Sequence, residues 1–257
     1  MAKLIFLGTG ASSGVPEIGC KCNVCSSSSK FNKRLRPSCL IKIDNKNILI
    51  DPGPDFRLQA LDHNIEHIDA ILITHIHYDH IAGLDDLRAL NRLQHSKIKC
   101  YLSKDSYLEV KKRFNYLFEN HNTLIESAKF DFHILEESSG DFKIDGINFS
   151  YFRYYQNKQH DVLGYRVNDL AYITDIKIFK DDIYDFLKNL NFLILSCLRF
   201  KESPVHFHVK QAKDFAKKVN AKTTYLTHMA HEIDYDTLKK ELNDKIQPAY
   251  DNLEINF

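Results

Sequence analysis

A chain of 257 residues with 35 basic and 34 acidic side chains carries a formal charge of +1, so its overall charge gives no pull toward nucleic acid or an anionic membrane surface. Its 44% apolar content supports a sizeable core, its length fits one large α/β domain or two small ones, and no apolar run approaches the roughly 18 residues of a membrane helix. The apolar core at the start is too short for a signal peptide. A cytoplasmic protein is therefore expected, with its six cysteines serving as thiols or metal ligands rather than disulfides.

In chain order, residues 3–7 are predicted as a first strand running into Gly8-Thr9-Gly10-Ala11-Ser12-Ser13-Gly14-Val15-Pro16. That loop either brings backbone close to a ligand or is an ordinary flexible connection. Cys20, Cys22 and Cys25 follow. Three thiols this close suit a tetrahedral zinc that still needs a fourth ligand; the bland alternative is three unlinked structural thiols. Residues 40–43 and 47–51 read as a hairpin around Asp44-Asn45-Lys46, which Asp51-Pro52-Gly53-Pro54-Asp55-Phe56-Arg57 ends abruptly. Asp55 is expected as the N-cap of a helix reaching residue 63. Arg57 suits either a substrate phosphate or a neighbouring carboxylate.

The apolar run 70–73 is predicted as a buried strand. Directly after it, Thr74-His75-Ile76-His77-Tyr78-Asp79-His80 packs three histidines and an aspartate into six residues. Imidazole and carboxylate on a rigid support are what a divalent cation needs. His75 and His77 can share one ion if the chain stays extended, while Asp79 and His80 can face a second. Gly83 and a helix over 84–92 are expected to back the site. A strand at 99–102 precedes a helical face over 107–118, which is core, lid or dimer surface, with core packing expected. Strands are predicted at 130–134 and 147–152. His160 stands before Gly164-Tyr165-Arg166, and the strand 171–175 ends on Asp175, whose two oxygens can bridge two cations. A strand at 192–196, the segment Ser203-Pro204-Val205-His206-Phe207-His208 and a helix over 209–219 follow. The strand 223–226 delivers Thr227-His228-Met229-Ala230-His231, and a helix over 235–242 and a short strand at 253–255 close the reading. No internal repeat is visible.

The Thr74–His80 segment resembles the signature of the metallo-β-lactamase superfamily of dinuclear metal hydrolases, and the likeness extends over essentially the whole chain. Its glycine-rich segment 8–16, its cysteine triplet, Asp51-Pro52-Gly53-Pro54-Asp55-Phe56-Arg57 and the Thr-His-x-x-His around His228 are similar to the bacterial cyclic phosphodiesterases of the carbon–phosphorus lyase pathway. The resemblance implies a four-layer αββα sandwich forming a single hydrolase domain over residues 1–257. It implies two divalent ions, zinc or manganese, one held by His75, His77 and His160, the other by Asp79, His80 and His228, with Asp175 between them and Asp51 bracing the loop. Asp79 and His206 become the catalytic residues, His206 protonating or stabilising the leaving oxygen. Relatives carry His-Pro-Thr-His-Phe-Ser here, so Ser203 and His208 depart from their pattern; His206 is preferred over His208 by position.

For the cysteine site, the fourth ligand is expected at His231, giving a structural zinc on Cys20, Cys22, Cys25 and His231. Cys39 sits in an apolar run and reads as a buried strand residue. The expected substrate is a small phosphodiester, and a homodimer is compatible with the 107–118 face. A tRNA 3′-end endonuclease uses the same core but typically adds a basic arm not evident here. Thiolester or lactone hydrolysis is a further alternative. A non-catalytic binding module conflicts with the presence of all seven expected ligands.

Overall fold

The computed structural model describes residues 2–118 and 126–257. The first half supplies β1 (Lys3–Gly8), β2 (Ser38–Ile43), β3 (Lys46–Ile50), α1 (Phe56–Asp62), β4 (Ala70–Leu72), α2 (Tyr78–Ile81), α3 (Arg88–Gln94), β5 (Ile98–Ser103), α4 (Lys104–Arg113) and β6 (Phe130–Leu135). The second supplies β7 (Ser139–Ile144), β8 (Ile147–Asn157), β9 (His160–Val167), β10 (Leu170–Ile173), α5 (Ile183–Phe186), β11 (Phe192–Ser196), α6 (Val209–Val219), β12 (Thr223–Thr227), α7 (Tyr235–Glu241), β13 (Ile246–Pro248) and β14 (Glu254–Asn256). Two seven-stranded sheets result, in the orders β14-β1-β2-β3-β4-β5-β6 and β13-β12-β11-β10-β9-β8-β7.

Strand alternation explains the layers. In β1, Leu4 and Phe6 point into the cluster between the sheets, with Ile41, Ile50, Tyr165 and Tyr172, whereas Ile5 and Leu7 point outward to Phe56, Ile81, Leu84 and Leu87. In β10, Leu170 and Tyr172 face the inter-sheet core, while Ala171 and Ile173 face Ile183, Ala212, Phe215 and Leu238 on the other outer side. Each sheet thus buries both faces, one against the other sheet and one under helices. This is the expected αββα sandwich.

Both sheets place a parallel block beside an antiparallel one. Strands β3 to β6 run parallel, as do β10 to β13. Loops leaving the C-terminal ends of such blocks are where α/β proteins assemble chemistry. Here those loops carry Asp51, residues 74–80, Asp175 and His228.

Several expectations shift. Asp55 occupies the N-cap position of α1 but makes no capping bond. Its carboxylate instead accepts from the Arg36 backbone N–H at 2.8 Å and pairs with the Arg36 guanidinium at 2.8 Å. The helix expected over 84–92 is a 3₁₀ turn, Leu84–Leu87, followed by α3. The face over 107–118 is split between α4 and a 3₁₀ turn, with Tyr107, Phe114, Leu117 and Phe118 packed against the outer core. The sequence reading missed β7 and β13, both sheet edges.

Close backbone packing holds the loop that carries residues 74–80. Gly83 donates its N–H to the Pro52 carbonyl at 2.9 Å. A Cβ on Gly53 would lie 2.2 Å from the Asp79 carbonyl oxygen, so only glycine allows the Asp51–Asp55 turn to touch α2. Gly53→Ala is expected to destabilise the fold by about 1–3 kcal/mol, as overpacking does, and to weaken metal uptake by displacing Asp79. Thermal melts with and without added zinc measure both effects.

Candidate metal centre

The centre is built from the turn after β3 outward. Asp51 is fully buried and takes a left-handed backbone conformation (φ 56°). Its Oδ1 accepts the Thr74 backbone N–H at 2.8 Å, and its Oδ2 accepts the Thr74 hydroxyl at 2.6 Å and His80 Nδ1 at 2.7 Å. Because the Thr74 hydroxyl donates to Asp51, its oxygen is left to accept from His75 Nδ1 at 3.0 Å. One carboxylate therefore places the Nδ1 proton of both His75 and His80 and leaves their Nε2 atoms to face the centre, His80 Nε2 without a hydrogen-bond partner among the described residues and His75 Nε2 beside His77 Nδ1.

Those nitrogens converge on carboxylates. His80 Nε2 lies 3.2 Å from Asp79 and 3.4 Å from Asp175; His75 Nε2 lies 3.8 Å from Asp175. His228 Nε2 is 3.4 Å from Asp79 and 3.3 Å from Asp175, and His206 Nδ1 is 3.4 Å from Asp175. Three overlapping donor groups result: His75, His80 and Asp175; Asp79, His80 and His228; Asp175, His206 and His228. Asp175 belongs to two of the three groups.

The electrostatics fit a cation. Burial opposes the charge on Asp175, but His228, His206, His80 and His75 outweigh it and hold the carboxyl well below its usual range. Burial likewise opposes charge on His80, yet Asp79, Asp51 and Asp175 push the imidazole well upward. Asp79 is held down against burial by His80 and His228. Burial lowers His75, and lowers His206 to about 4. His80 Nε2, His206 Nδ1 and His228 Nδ1 are buried without a hydrogen-bond partner among the described residues. Close-set carboxylates and imidazoles with orphaned nitrogens are the donor chemistry of a divalent metal, so the residues present fit the implied ions.

The remaining predicted residues divide. His77 Nδ1 is 2.9 Å from His75 Nε2, within reach of a common ion. His160 is exposed at the rim, its ring 5.6 Å from that of His77 and its Nδ1 beside Asn157, so it joins none of the compact groups. His206 reaches the centre, whereas His208 stands at the start of α6 with Nδ1 2.8 Å from Gln211. Arg57 is exposed on α1, where its charge bears on Asp86. A cleft of about 450 Å³ opens beside His75 and His160, walled by Asp105, Leu108, Glu109 and Arg113 of α4.

Sequence reasoning missed Gln156. It is buried on β8, and its amide nitrogen lies 3.1 Å from Asp175 Oδ1 and 3.3 Å from His206 Nε2. The signal was a polar side chain continuing the series Phe152, Tyr154, Gln156 on the helix-covered face of β8.

A second donor set lies apart. Cys20, Cys22 and Cys25 place their sulfurs 3.2, 3.7 and 3.6 Å from His231 Nδ1, while His231 Nε2 meets Glu17 at 3.2 Å. The Cys25 backbone N–H is the main cause of a Cys22 thiol pushed down to about 6, and burial pushes Cys25 up to about 11. Cys39 is buried in β2 and outside this group. Next to it, the buried Arg34 donates to the carbonyls of Phe31, Ala230 and Ile233, fastening the segment that carries His231 to the N-terminal loop.

The sandwich and its donor sets are those of a metal-dependent hydrolase of the metallo-β-lactamase type. Residues 46–229 match the family model described as a beta-lactamase superfamily domain. A crystal structure of a diphosphatase from the PhnP family superposes with a TM-score of 0.92 at 36% identity, covering 100% of this chain and 98% of that one. The chain belongs to the beta-lactamase superfamily, in the PhnP-like branch of its metal-dependent hydrolases. Human tRNase Z, short form, shares the fold at 19% identity and a TM-score of 0.73, over 99% and 98% of the two chains. An octanoyltransferase of Porphyromonas gingivalis is 33% identical over 98% of this chain but only 51% of its own length, so the chain spans about half of that relative. Among the described residues, no helix is long and apolar enough to cross a membrane.

If Asp51 sets the two imidazoles, Asp51→Asn should leave the fold intact but weaken metal affinity by roughly 10–100-fold, the usual cost of losing such a partner. Competition with a chromophoric chelator measures it; unchanged affinity removes Asp51 from this role.

Proposed function

We propose that the protein is a dinuclear metallohydrolase that cleaves a P–O bond in a small phosphodiester or diphosphate, and that residues 1–257 act as one domain. The observation that carries this reading is the convergence of His75, His80, His206 and His228 on Asp175, supported by full-length similarity to a protein titled a diphosphatase. His75, His77 and His160 would hold one ion, Asp79, His80 and His228 the other, with Asp175 shared. Two divalent ions, zinc or manganese, lower the pKa of bound water and neutralise phosphoryl oxygens when present. His206 faces the same space and stabilises or protonates the leaving oxygen. A small substrate in a cytoplasmic setting is favoured over tRNA, because charge is near balance and the similarity to tRNase Z lies at the level of fold. The name of the octanoyltransferase belongs to a polypeptide about twice as long and gives thiolester hydrolysis no separate support.

Cys20, Cys22, Cys25 and His231 are proposed to hold a closed structural zinc, leaving no position for water. Glu17 would orient the His231 ring.

Turnover of the zinc- and manganese-loaded protein on cyclic nucleotides, nucleoside diphosphate derivatives, aryl phosphodiesters, precursor tRNA and thiolesters tests the substrate class. Cleavage of thiolesters alone would overturn the phosphoryl reading. His206→Ala should lower kcat on poor leaving groups by roughly 10²–10⁴-fold with both ions retained, and by less on nitrophenolate esters. Metal analysis separates the two donor sets. His231→Ala is expected to lose one zinc and keep the pair, whereas Asp175→Ala should lose the pair and keep the thiolate-bound zinc. The reverse pattern would refute both assignments.

A further inference from the structure

The glycine-rich segment 8–16 reaches the metal centre without supplying it a ligand. The Thr9 carbonyl accepts the Met229 N–H at 2.9 Å, and the Ala11 N–H donates to the Met229 carbonyl at 3.1 Å, so the segment runs beside the residue that follows His228. The Gly14 N–H then closes a turn on the Ala11 carbonyl at 2.8 Å. Ser12 and Ser13 form the exposed tip of that turn, and their backbone N–H groups have no hydrogen-bond partner among the described residues. Gly14 takes a left-handed backbone conformation (φ 67°). Successive N–H groups beside such a residue make an anion-binding concavity.

Arg36 stands against the same turn. Its Nη1 lies 3.4 Å from the point that a Cβ on Gly14 would occupy. Asp55 holds the guanidinium through Nη2 at 2.8 Å and the Arg36 backbone N–H at 2.8 Å, which fixes its plane. Nη1 and the buried Nε have no hydrogen-bond partner among the described residues. A guanidinium left this short of acceptors has capacity for a ligand. The Asp51–Asp55 turn packs on Asp79 through Gly53, while the glycine-rich segment is bonded beside His228. Asp79 and His228 share a donor group with His80. Arg36 and the Ser12–Gly14 tip therefore belong to the Asp79 and His228 flank of the centre, whereas the cleft walled by α4 adjoins His75 and His160.

We propose that the Ser12–Gly14 tip and Arg36 form a subsite for a second phosphoryl group of the substrate, next to the one that the metal ions take. Metal ions neutralise the group under attack; donors outside the ligand set serve an anion that the ions do not cover. Nη1 offers charge-assisted hydrogen bonds to phosphoryl oxygens, and the tip N–H groups add neutral ones. The substrate class narrows to compounds that carry two phosphoryl groups, such as diphosphates, which a simple phosphodiester does not. That narrowing rests on the proposed phosphoryl chemistry; the anion subsite does not.

Binding to the zinc-loaded protein tests the subsite without turnover. Methylenediphosphonate, a diphosphate analogue that resists hydrolysis, and inorganic phosphate are titrated by calorimetry, with bound zinc counted before and after. The wild type is expected to favour the diphosphonate. Arg36→Lys keeps the charge and the pairing with Asp55 but removes Nη1, and should cut that preference about tenfold, the worth of one charge-assisted hydrogen bond. Ser12→Pro removes one tip N–H at a turn position that suits proline. It should also cut the preference, and its exposed position makes it the safeguard if Arg36→Lys folds poorly. A wild type without preference overturns the proposal, and so does an undiminished preference in both variants. An equal loss of phosphate and diphosphonate binding, or loss of zinc in both variants, overturns it as well, because the two residues would then act through the metal ions. If the protein turns over thiolesters alone, the phosphoryl reading fails while the titrations still decide the subsite.

Discussion

A single buried carboxylate with all its donors on one loop is the constraint on which the site depends. Burying Asp51 costs several kcal/mol unless its oxygens are satisfied, and its partners are the Thr74 amide, the Thr74 hydroxyl and His80. Those bonds can form only because β3 and β4 run parallel and side by side, with the Asp51 N–H on the Leu72 carbonyl at 3.1 Å. Sheet register, loop conformation and imidazole orientation are thus one linked condition. A slip in the pairing of these strands would cost core packing and both ligand nitrogens together.

The second sheet answers with Asp175 and His228 at the ends of β10 and β12, and the N-terminal loop closes over the result. That loop, between β1 and β2, has little regular structure and is held by side chains instead. Asp251 accepts the Thr9 and Leu35 backbone N–H groups at 2.8 and 2.7 Å, Arg34 grips the segment after His228, and the cysteine group meets His231. The short run His228 to His231 therefore belongs to two donor sets at once, which ties the order of the long loop to the geometry of the centre.

Most of the architecture was legible because its strands are buried on both faces and its ligands are dense. The 70–73 run and the histidines after it were visible as sequence neighbours. What escaped had physical reasons. Strand β7 alternates weakly and lies at a sheet edge, although Asp145-Gly146, both at positive φ (48° and 92°), carries the usual hairpin turn chemistry. Strand β13 is three residues long and contains Pro248. Asp55 looked like a cap because caps are local, but its partner, Arg36, comes from another loop. Gln156 was passed over because a lone glutamine has no motif; only its burial and two neighbours distant in sequence give it meaning. His160, placed by resemblance alone, is the one expected ligand that stands at the rim.

Three residues of the centre, Asp51, Asp175 and His228, have left-handed backbones with φ of 56°, 53° and 58°. Side chains other than glycine pay for that conformation, about 1–3 kcal/mol each in strained settings. Replacing Asp175 by glycine would relieve that strain, but it would also strip His75, His80, His206 and His228 of the buried charge they face and leave Gln156 and Thr174 without their acceptor. The left-handed turn is thus held by the polar contacts it makes possible. Asparagine shares the tolerance of aspartate for this conformation, so it would keep the turn and remove the charge alone, whereas a β-branched residue would disturb both.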